Sequence, residues 1–263
     1  MAKIRLDTLL QKQGEYDSRE KARAVIMSGA VFLGGRRVDK PGTMVAEDAV
    51  LEVRGNKMPY VSRGGLKLEK ALAEFGVSPG GRVCIDCGAS TGGFTDCLLK
   101  NGAEKVYAID VGYGQLDWRL RNDPRVVTME RTNVRYLSKN DIPESPSLAV
   151  IDVSFISLKH ILPPVNALLE ADGEVLCLIK PQFEAGREQV GKKGVVRDSG
   201  VHIDVLDKFF ENAEESGFFV KNMSFSPIKG PEGNIEYLGH LVKTETDANP
   251  DPAEIVRAAH CAL

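Results

Sequence analysis

Asp86-Cys87-Gly88-Ala89-Ser90-Thr91-Gly92-Gly93-Phe94 follows the apolar run Val83-Cys84-Ile85 and precedes a helical pattern. That context predicts the first strand-to-helix turn of a doubly wound sheet. Glycine at such a turn lets the backbone approach a ligand closely, because a Cβ would fill the space. The spacing is not the Gly-x-Gly-x-x-Gly of a dinucleotide site: three residues separate Gly88 from the Gly92-Gly93 pair, and an acid stands two positions ahead. This departs from a pyrophosphate cradle and suits a cationic amino-acid ligand such as S-adenosylmethionine, whose ammonium and sulfonium favour nearby carboxylates. A second acid, Asp110, ends the next apolar run, Val106-Tyr107-Ala108-Ile109. It lies about 20 residues beyond the glycines, where such folds bind ribose hydroxyls. Turn and acid together point to a nucleoside-type cofactor.

Outward from this turn, apolar runs at 82–87, 106–111, 125–129, 147–152, 174–180, 218–226 and 235–242 alternate with helical stretches. The βαβ rhythm predicts an α/β fold, a largely parallel sheet with helices on both faces. Only a loop separates the last two runs, so an antiparallel hairpin is expected to close the sheet. Seven strands ending this way outline a Rossmann-like class I methyltransferase. Upstream, Leu66–Phe75 reads as a helix closed by Gly76, and Gly55–Gly65 breaks any period. Expected boundaries are an N-terminal module over 1–57, a linker over 58–65, the main domain over 66–245 and a helical tail over 246–263. Residues 186–200 are polar and glycine-rich and read as a mobile loop, in which Lys192, Lys193 and Arg197 either grip RNA or belong to a merely solvated surface.

At 263 residues, with 43% hydrophobic and 27% charged residues, the chain fits two domains of ordinary globular composition. No run approaches the ~18 apolar residues of a membrane span, and the first residues do not lead into a signal-peptide core, so the expected location is cytoplasmic. The net charge of −3 excludes a protein that coats nucleic acid with its whole surface. The balance is uneven: residues 1–57 carry eleven Lys/Arg against eight Asp/Glu, and the remainder 23 against 29. A basic front end on an acidic body suggests a local polyanion contact. Cys84, Cys87, Cys97, Cys177 and Cys261 form an odd, scattered set. Cys84 and Cys87 fall on a predicted strand with no second pair to complete a zinc site, so they read as buried thiols of a reducing compartment.

In the front module, residues 4–13 show helical periodicity and stop at Gly14, and a second helix runs from Ser18 as N-cap to Gly29. Short strands split by turns follow: Ala30–Leu33, then Val38 after Arg36-Arg37, then Asp48–Val53. Arg5-Leu-Asp7-x-Leu-Leu, Ser18-Arg-x-x-Ala22-x-x-x-Ile26-x-x-Gly29, Val31 and Lys40-Pro41-Gly42 resemble the alpha-L RNA-binding domain of small-ribosomal-subunit protein four and related proteins. The resemblance implies that the basic faces of the two helices and the turn hold RNA phosphates. The residues concerned are Arg5, Arg19, Lys21, Arg23, Arg36 and Arg37, with Arg63 in the linker; such contacts position RNA without reading sequence.

Three further segments place charge at the carboxyl ends of strands, where open α/β sheets bind ligands. Asp152 closes Leu148–Ile151, Lys180 closes Val175–Ile179, and Glu236 stands early in the last strand after the turn Lys229–Asn234. A wholly apolar strand ending in lysine is hard to explain by packing, because a buried lysine is costly unless paired. Asp152 is its natural partner, and a purely structural ion pair at the sheet edge is the other reading.

Asp86-x-Gly-Ala-x-x-Gly-Gly-Phe94, Asp152-Val-Ser-Phe-Ile156, Lys180-Pro-Gln-Phe-Glu184 and Gly233-Asn-Ile-Glu236-Tyr237 together resemble the haemolysin A (TlyA) family. In that family an alpha-L domain precedes an FtsJ-like methyltransferase domain. The similarity covers essentially the whole chain, including Val61-Ser-Arg-Gly-Gly-Leu-Lys67-Leu68 at the domain junction. FtsJ-like enzymes carry a Lys-Asp-Lys-Glu tetrad for ribose 2′-O methylation, and the matching positions are Lys67, Asp152, Lys180 and Glu236. The resemblance implies an S-adenosylmethionine-dependent methyltransferase acting on the 2′-hydroxyl of cytidine in ribosomal RNA, within ribosomal subunits. Asp86, Gly88, Ser90, Gly92, Gly93 and Phe94 are then expected around the methionine part of the cofactor, Asp110 at its ribose and Asn133 near its adenine. No metal is expected, since methyl transfer from a sulfonium has a good leaving group.

A ribose hydroxyl is a poor nucleophile at neutral pH and needs a base or a strong acceptor. Lysine is mostly protonated there, so a base role needs desolvation or a neighbouring cation. The expected roles are Lys180 as base, Lys67 and Asp152 as its tuners, and Glu236 as a partner of the ribose or of Lys67. Alternatively Lys180 stays charged and steers the oxygen. Rival readings are a membrane-active haemolysin, opposed by the absence of any long apolar or basic amphipathic segment; a pseudouridine synthase, which would not need the cofactor turn; and a catalytically dead RNA-binding factor, opposed by the intact tetrad.

Overall fold

The computed structural model describes residues 3–14, 16, 18–27, 29–54, 58–191 and 193–263. The chain divides into two compact units, Met1–Pro59 and Tyr60–Leu263. The first unit contains β1 (Lys3–Arg5), α1 (Leu6–Lys12), α2 (Arg19–Met27), β2 (Val31–Leu33), β3 (Arg36–Arg37), β4 (Met44–Ala46) and β5 (Leu51–Val53). Leu6, Leu9 and Leu10 recur at helical spacing on α1 and close a core with Ala22, Ile26, Val31 and Val45. Ile4, expected in the first helix, instead lies in β1 and pairs with Val45 of β4, an element the sequence did not announce. Three-residue strands hold too few residues for a period of two to declare itself.

The second unit begins with α3 (Gly64–Phe75), closed by Gly76 at φ 67° in the left-handed conformation that favours glycine at a helix end. Residues 60–65, expected as linker, are built into this unit: Tyr60 is buried in its core, and α3 starts at Gly64. Residues 55–57 of the expected linker region lie outside the described residues.

Then follow β6 (Val83–Cys87), α4 (Gly93–Lys100), β7 (Lys105–Ile109), α5 (Trp118–Arg121), β8 (Val126–Met129), β9 (Leu148–Ile151), α6 (Leu162–Leu168), β10 (Glu174–Ile179), α7 (Pro181–Glu184), α8 (Ser199–Glu215), β11 (Phe219–Phe225), β12 (Tyr237–Val242) and α9 (Pro252–Ala262). Among the described residues these strands form one seven-stranded sheet in the order β11-β12-β10-β9-β6-β7-β8. Pairing is parallel from β10 to β8, and β12 runs antiparallel to both β10 and β11. The final pair is thus antiparallel as expected, but it is not an appendage at the edge: β12 inserts between β10 and β11.

Strand side chains alternate between two apolar layers, which is why the sequence runs are almost continuously hydrophobic. Ile85, Ile109, Ile151, Cys177 and Ile179 face a layer shared with α6, α8 and α9. Cys84, Val106, Val150, Leu176 and Leu178 face one shared with α3 and α4. Cys84, Cys87, Cys97 and Cys177 are buried free thiols, and Cys261 is exposed. The tail forms α9, whose Val256 and Ala259 are buried.

The segment 186–200, expected as a mobile loop, is fastened at residues 194–196. Val195 and Val196 are buried, the Val196 N–H donates to Asn234 Oδ1 (3.0 Å), and Asn234 Nδ2 donates to the Gly194 carbonyl (2.9 Å). Lys192 lies outside the described residues.

Candidate active site

Parallel strands bring their carboxyl ends to one edge of the sheet, and the register sets which residues meet there. Cys87 pairs with Ile109 and Ile151, so Gly88, Asp110 and Asp152 leave the edge side by side. Ile151 in turn pairs with Cys177. Because β12 runs the other way, its first residue, Tyr237, lies opposite Ile179. That reversal carries Glu236 to the same edge as Lys180. All four tetrad positions line one cavity of about 490 Å³, together with Gly88, Ser90, Phe94 and Ser154.

Their contacts form two ion pairs. Lys67 Nζ lies 2.5 Å from Glu236 Oε2, with both side chains almost fully buried. Lys180 Nζ lies 2.5 Å from Asp152 Oδ1 and donates to Ser154 Oγ at 3.2 Å. Lys67, expected to act on Lys180 as a neighbouring cation, thus has its own carboxylate, as does Lys180. Glu236 takes the Lys67 alternative. A buried lysine without such a partner would be strongly destabilising, so the pairing explains how this apolar sheet edge holds two cations.

A second cavity of about 390 Å³ adjoins the first and shares Gly88, Ser90, Asp152 and Ser154 with it. Asp110, Gln115, Thr132, Asn133, Phe155 and Ile156 line the remainder. Asp110 is anchored by two backbone donors: the Ser90 N–H donates to Oδ2 at 2.7 Å and the Gly112 N–H to Oδ1 at 2.6 Å. Asn133 Oδ1 accepts from the Arg135 N–H at 3.1 Å, and Asn133 itself faces this cavity. Gly88 has φ 86°, and a Cβ there would stand 2.6 Å from the carbonyl oxygen of Asp152. Its close approach is therefore to the neighbouring strand end as well as to the cavity.

Asp86 lies fully buried beneath the turn. Thr95 Oγ1 donates to its Oδ2 at 2.6 Å, while Oδ1 has no hydrogen-bond partner. Burial pushes this carboxyl up to about 7; the Thr95 hydroxyl counteracts the rise and the Asp152 charge adds to it. Gly92 serves packing, since a Cβ there would meet Leu116 and Leu120, whereas Gly93 lines the first cavity, and a Cβ on it would meet Ser62 Oγ and the Gly65 nitrogen. Sequence reasoning missed Ser154, Gln115 and Thr95. Ser154 stands inside a quoted motif and Thr95 one residue past another, but a serine or threonine has no signature of its own.

In the first unit the buried Asp7 accepts from Arg5 Nη2 at 2.9 Å and from Arg19 Nε at 3.1 Å. Arg5's hydrogen bond, with Arg19's, holds this carboxyl down at about 2, against the cost of burial. Both guanidinium groups remain about half exposed, so one buried acid fixes two cations at the surface. Arg23, Arg36 and Arg37 are exposed, as is Lys21 on α2. Arg37 lies across Gly29. In the second unit Arg63 lines the first cavity and donates to the Lys229 carbonyl at 3.2 Å. Among the described residues, no helix is long and apolar enough to cross a membrane.

Comparison with known proteins agrees with this geometry. The S4 domain model matches residues 4–51, and the FtsJ-like methyltransferase model matches residues 60–243. The chain is 55% identical over 240 residues to YqxC of Bacillus subtilis, provisionally named an rRNA methyltransferase, covering 91% of this chain and 85% of that one. It is 42% identical over 262 residues to the 16S/23S rRNA (cytidine-2′-O)-methyltransferase TlyA of Mycobacterium tuberculosis, covering 99% and 97%. A solved structure from Streptococcus thermophilus, provisionally named a hemolysin, shares 51% identity and superposes with a TM-score of 0.79, covering 100% and 97%. The two paired lysines, the two carboxylates and the glycine turn thus sit in a chain that belongs to the FtsJ-like methyltransferase family, with an S4 domain ahead of the catalytic fold.

Proposed function

We propose that this protein transfers a methyl group from S-adenosylmethionine to the ribose 2′-hydroxyl of cytidine in ribosomal RNA held within ribosomal subunits. The observation that carries the reading is the meeting of two ion pairs, Lys67 with Glu236 and Lys180 with Asp152, in a cavity that shares Gly88, Ser90, Asp152 and Ser154 with a second one.

The second cavity and the turn beneath it fit the cofactor. Asp86 Oδ1 is a buried carboxylate oxygen without a partner, and an ammonium group is the natural complement to it. Asp110, already oriented by two N–H groups, keeps free lone pairs for ribose hydroxyls. Asn133, Thr132 and Val134 offer a mixed polar and apolar wall for a base. The cofactor would supply a methyl group on a positively charged sulfur.

The chain's residues do the rest. Lys180, oriented by Asp152 and Ser154, meets the 2′-hydroxyl and takes its proton as the oxygen–methyl bond forms and the sulfur–methyl bond breaks. Lys67, held by Glu236, lines the same cavity and donates to the ribose. Arg5, Arg19, Lys21, Arg23, Arg36, Arg37 and Arg63 bind phosphates.

The test is transfer of labelled methyl from S-adenosylmethionine to unmethylated ribosomal subunits, followed by mapping. Label on a cytidine whose 3′ linkage resists alkaline cleavage is expected. Absence of label on either subunit, with cofactor binding demonstrated, would overturn the substrate assignment.

A further inference from the structure

The motif Lys180-Pro-Gln-Phe-Glu184 ends in a carboxylate for which the active site so far has no use. Glu184 is the last residue of the four-residue α7, and its side chain is largely withdrawn from water. Local physics argues against an acid there: burial disfavours the charged form and pushes this carboxyl above the usual range. Two donors from another segment offset the cost. Ser157 Oγ donates to Glu184 Oε2 at 2.6 Å, and the Leu158 N–H donates to Oε1 at 2.8 Å. Leu158 opens a 3-10 turn, so the carboxylate takes up an N–H that has no partner within that turn.

Ser157 and Leu158 end the loop that leaves β9, and that loop carries Asp152 and Ser154. Its start is held by Lys180, through the 2.5 Å contact to Asp152 and the 3.2 Å bond to Ser154. Its end is held by Glu184. Between the two ties, Phe155 has φ 64°, in the left-handed region where a non-glycine residue is strained. Phe155 itself is 91% exposed, with the Phe183 ring at 5.1 Å, while Val153 and Ile156 pack against the core and Leu158 is buried in it, so the polar ties act on a loop whose central residue has no core contact. The same loop walls both cavities through Asp152 and Ser154. A shift of its end would therefore move Lys180's partners relative to both substrate spaces.

We propose that Glu184 is a positioning residue: it latches the Asp152–Ser157 loop to the β10 exit and thereby sets Asp152 and Ser154 against Lys180. The activity arm of its test rests on the methyl transfer proposed above; the exchange arm does not. In Glu184→Ala, amide hydrogen exchange over residues 152–158, at Leu158 above all, should quicken. Single-turnover methyl transfer at saturating cofactor should slow about tenfold to a hundredfold, the scale of a catalytic group displaced by about an ångström. Glu184→Gln keeps an oxygen for the Leu158 N–H and should recover a large part of the rate. Ser157→Ala removes one of the two bonds without touching the acid, and should give an intermediate rate even if Glu184→Ala proves too unstable to assay.

Exchange in Glu184→Ala or Ser157→Ala equal to that of the wild type would overturn the latch. So would faster exchange with an unchanged transfer rate, or equal rate losses in the Ala and Gln variants. A wild type that is silent on ribosomal subunits would count against the substrate assignment, while loop exchange would still decide the latch.

Discussion

Replacing Lys180 with alanine separates the chemistry of the site from its architecture. The amine contacts Asp152 at 2.5 Å and Ser154 at 3.2 Å in the first cavity, whereas the second cavity is lined without it. A positioned general base contributes about 10²- to 10⁴-fold, which is about 2.7–5.4 kcal/mol of barrier. The substitution also leaves Asp152 without its cation. That side chain is 22% exposed, so water can partly take the place of the ammonium, and the folding cost should be on the order of 1–3 kcal/mol. It should fall short of the roughly 3–5 kcal/mol of a fully buried broken pair. The assay is single-turnover transfer of labelled methyl to unmethylated subunits at saturating cofactor, with the cofactor dissociation constant measured by calorimetry. Transfer should fall at least a hundredfold while cofactor affinity stays within a few-fold. Lys180→Arg then divides the two roles: a guanidinium cannot give up its proton at working pH, so the base reading requires the arginine variant to stay slow, whereas steering by charge would restore it. A loss under tenfold in Lys180→Ala, or loss of cofactor binding, would refute the assignment.

The Lys67–Glu236 pair should behave as a buried pair in stability measurements: Glu236→Ala alone costs about 3–5 kcal/mol, and the double variant with Lys67→Met recovers much of it. Denaturant titrations of Glu236→Ala, Lys67→Met and the double variant would check this, and additive losses would contradict the pairing. Gly88→Ala forces a non-glycine residue to φ 86° and drives a Cβ to 2.6 Å from the Asp152 carbonyl oxygen, a backbone atom that cannot swing aside. Cofactor affinity should fall more than tenfold in equilibrium dialysis, and a wild-type affinity would show that the turn has slack. Asp86 yields a proton-linkage test. Its folded-state value of about 7 stands above the ordinary carboxyl value of about 3.9, so the stability it contributes is full below about pH 4 and declines as pH rises towards about 7. An ammonium brought to its unpartnered oxygen reverses the preference. Cofactor binding at pH 6 should therefore release a proton, and its calorimetric enthalpy should depend on the buffer in the wild type but not in Asp86→Asn.

The methyltransferase sheet was legible because its strands are long enough to show continuous apolar runs ending in punctuation, and Gly76, Gly88 and Asp110 mark ends at which backbone geometry restricts the choice of residue. β1 and β4 were not, since three residues cannot display a period and their pairing is made between distant segments. The same limit explains the misread 186–200 segment. Its glycines and charges describe a loop, but what fastens it is Asn234, nearly 40 residues on, through bonds to Gly194 and Val196 that no local pattern encodes.

The tetrad shows where single-chain reading meets its physical boundary. A lysine ending an apolar strand betrays a partner, because the desolvation cost has to be met somewhere. Which acid meets it depends on strand order. β12 runs antiparallel beside β10, so Glu236 arrives at the same edge as Lys180, yet its partner is Lys67 from α3. Asp152, from the adjacent parallel strand, takes Lys180. Had β12 run parallel, Glu236 would have stood at the opposite edge of the sheet, and Lys67 would have been buried without a countercharge. The one reversed strand is thus a condition for holding two lysines at one buried edge of the sheet.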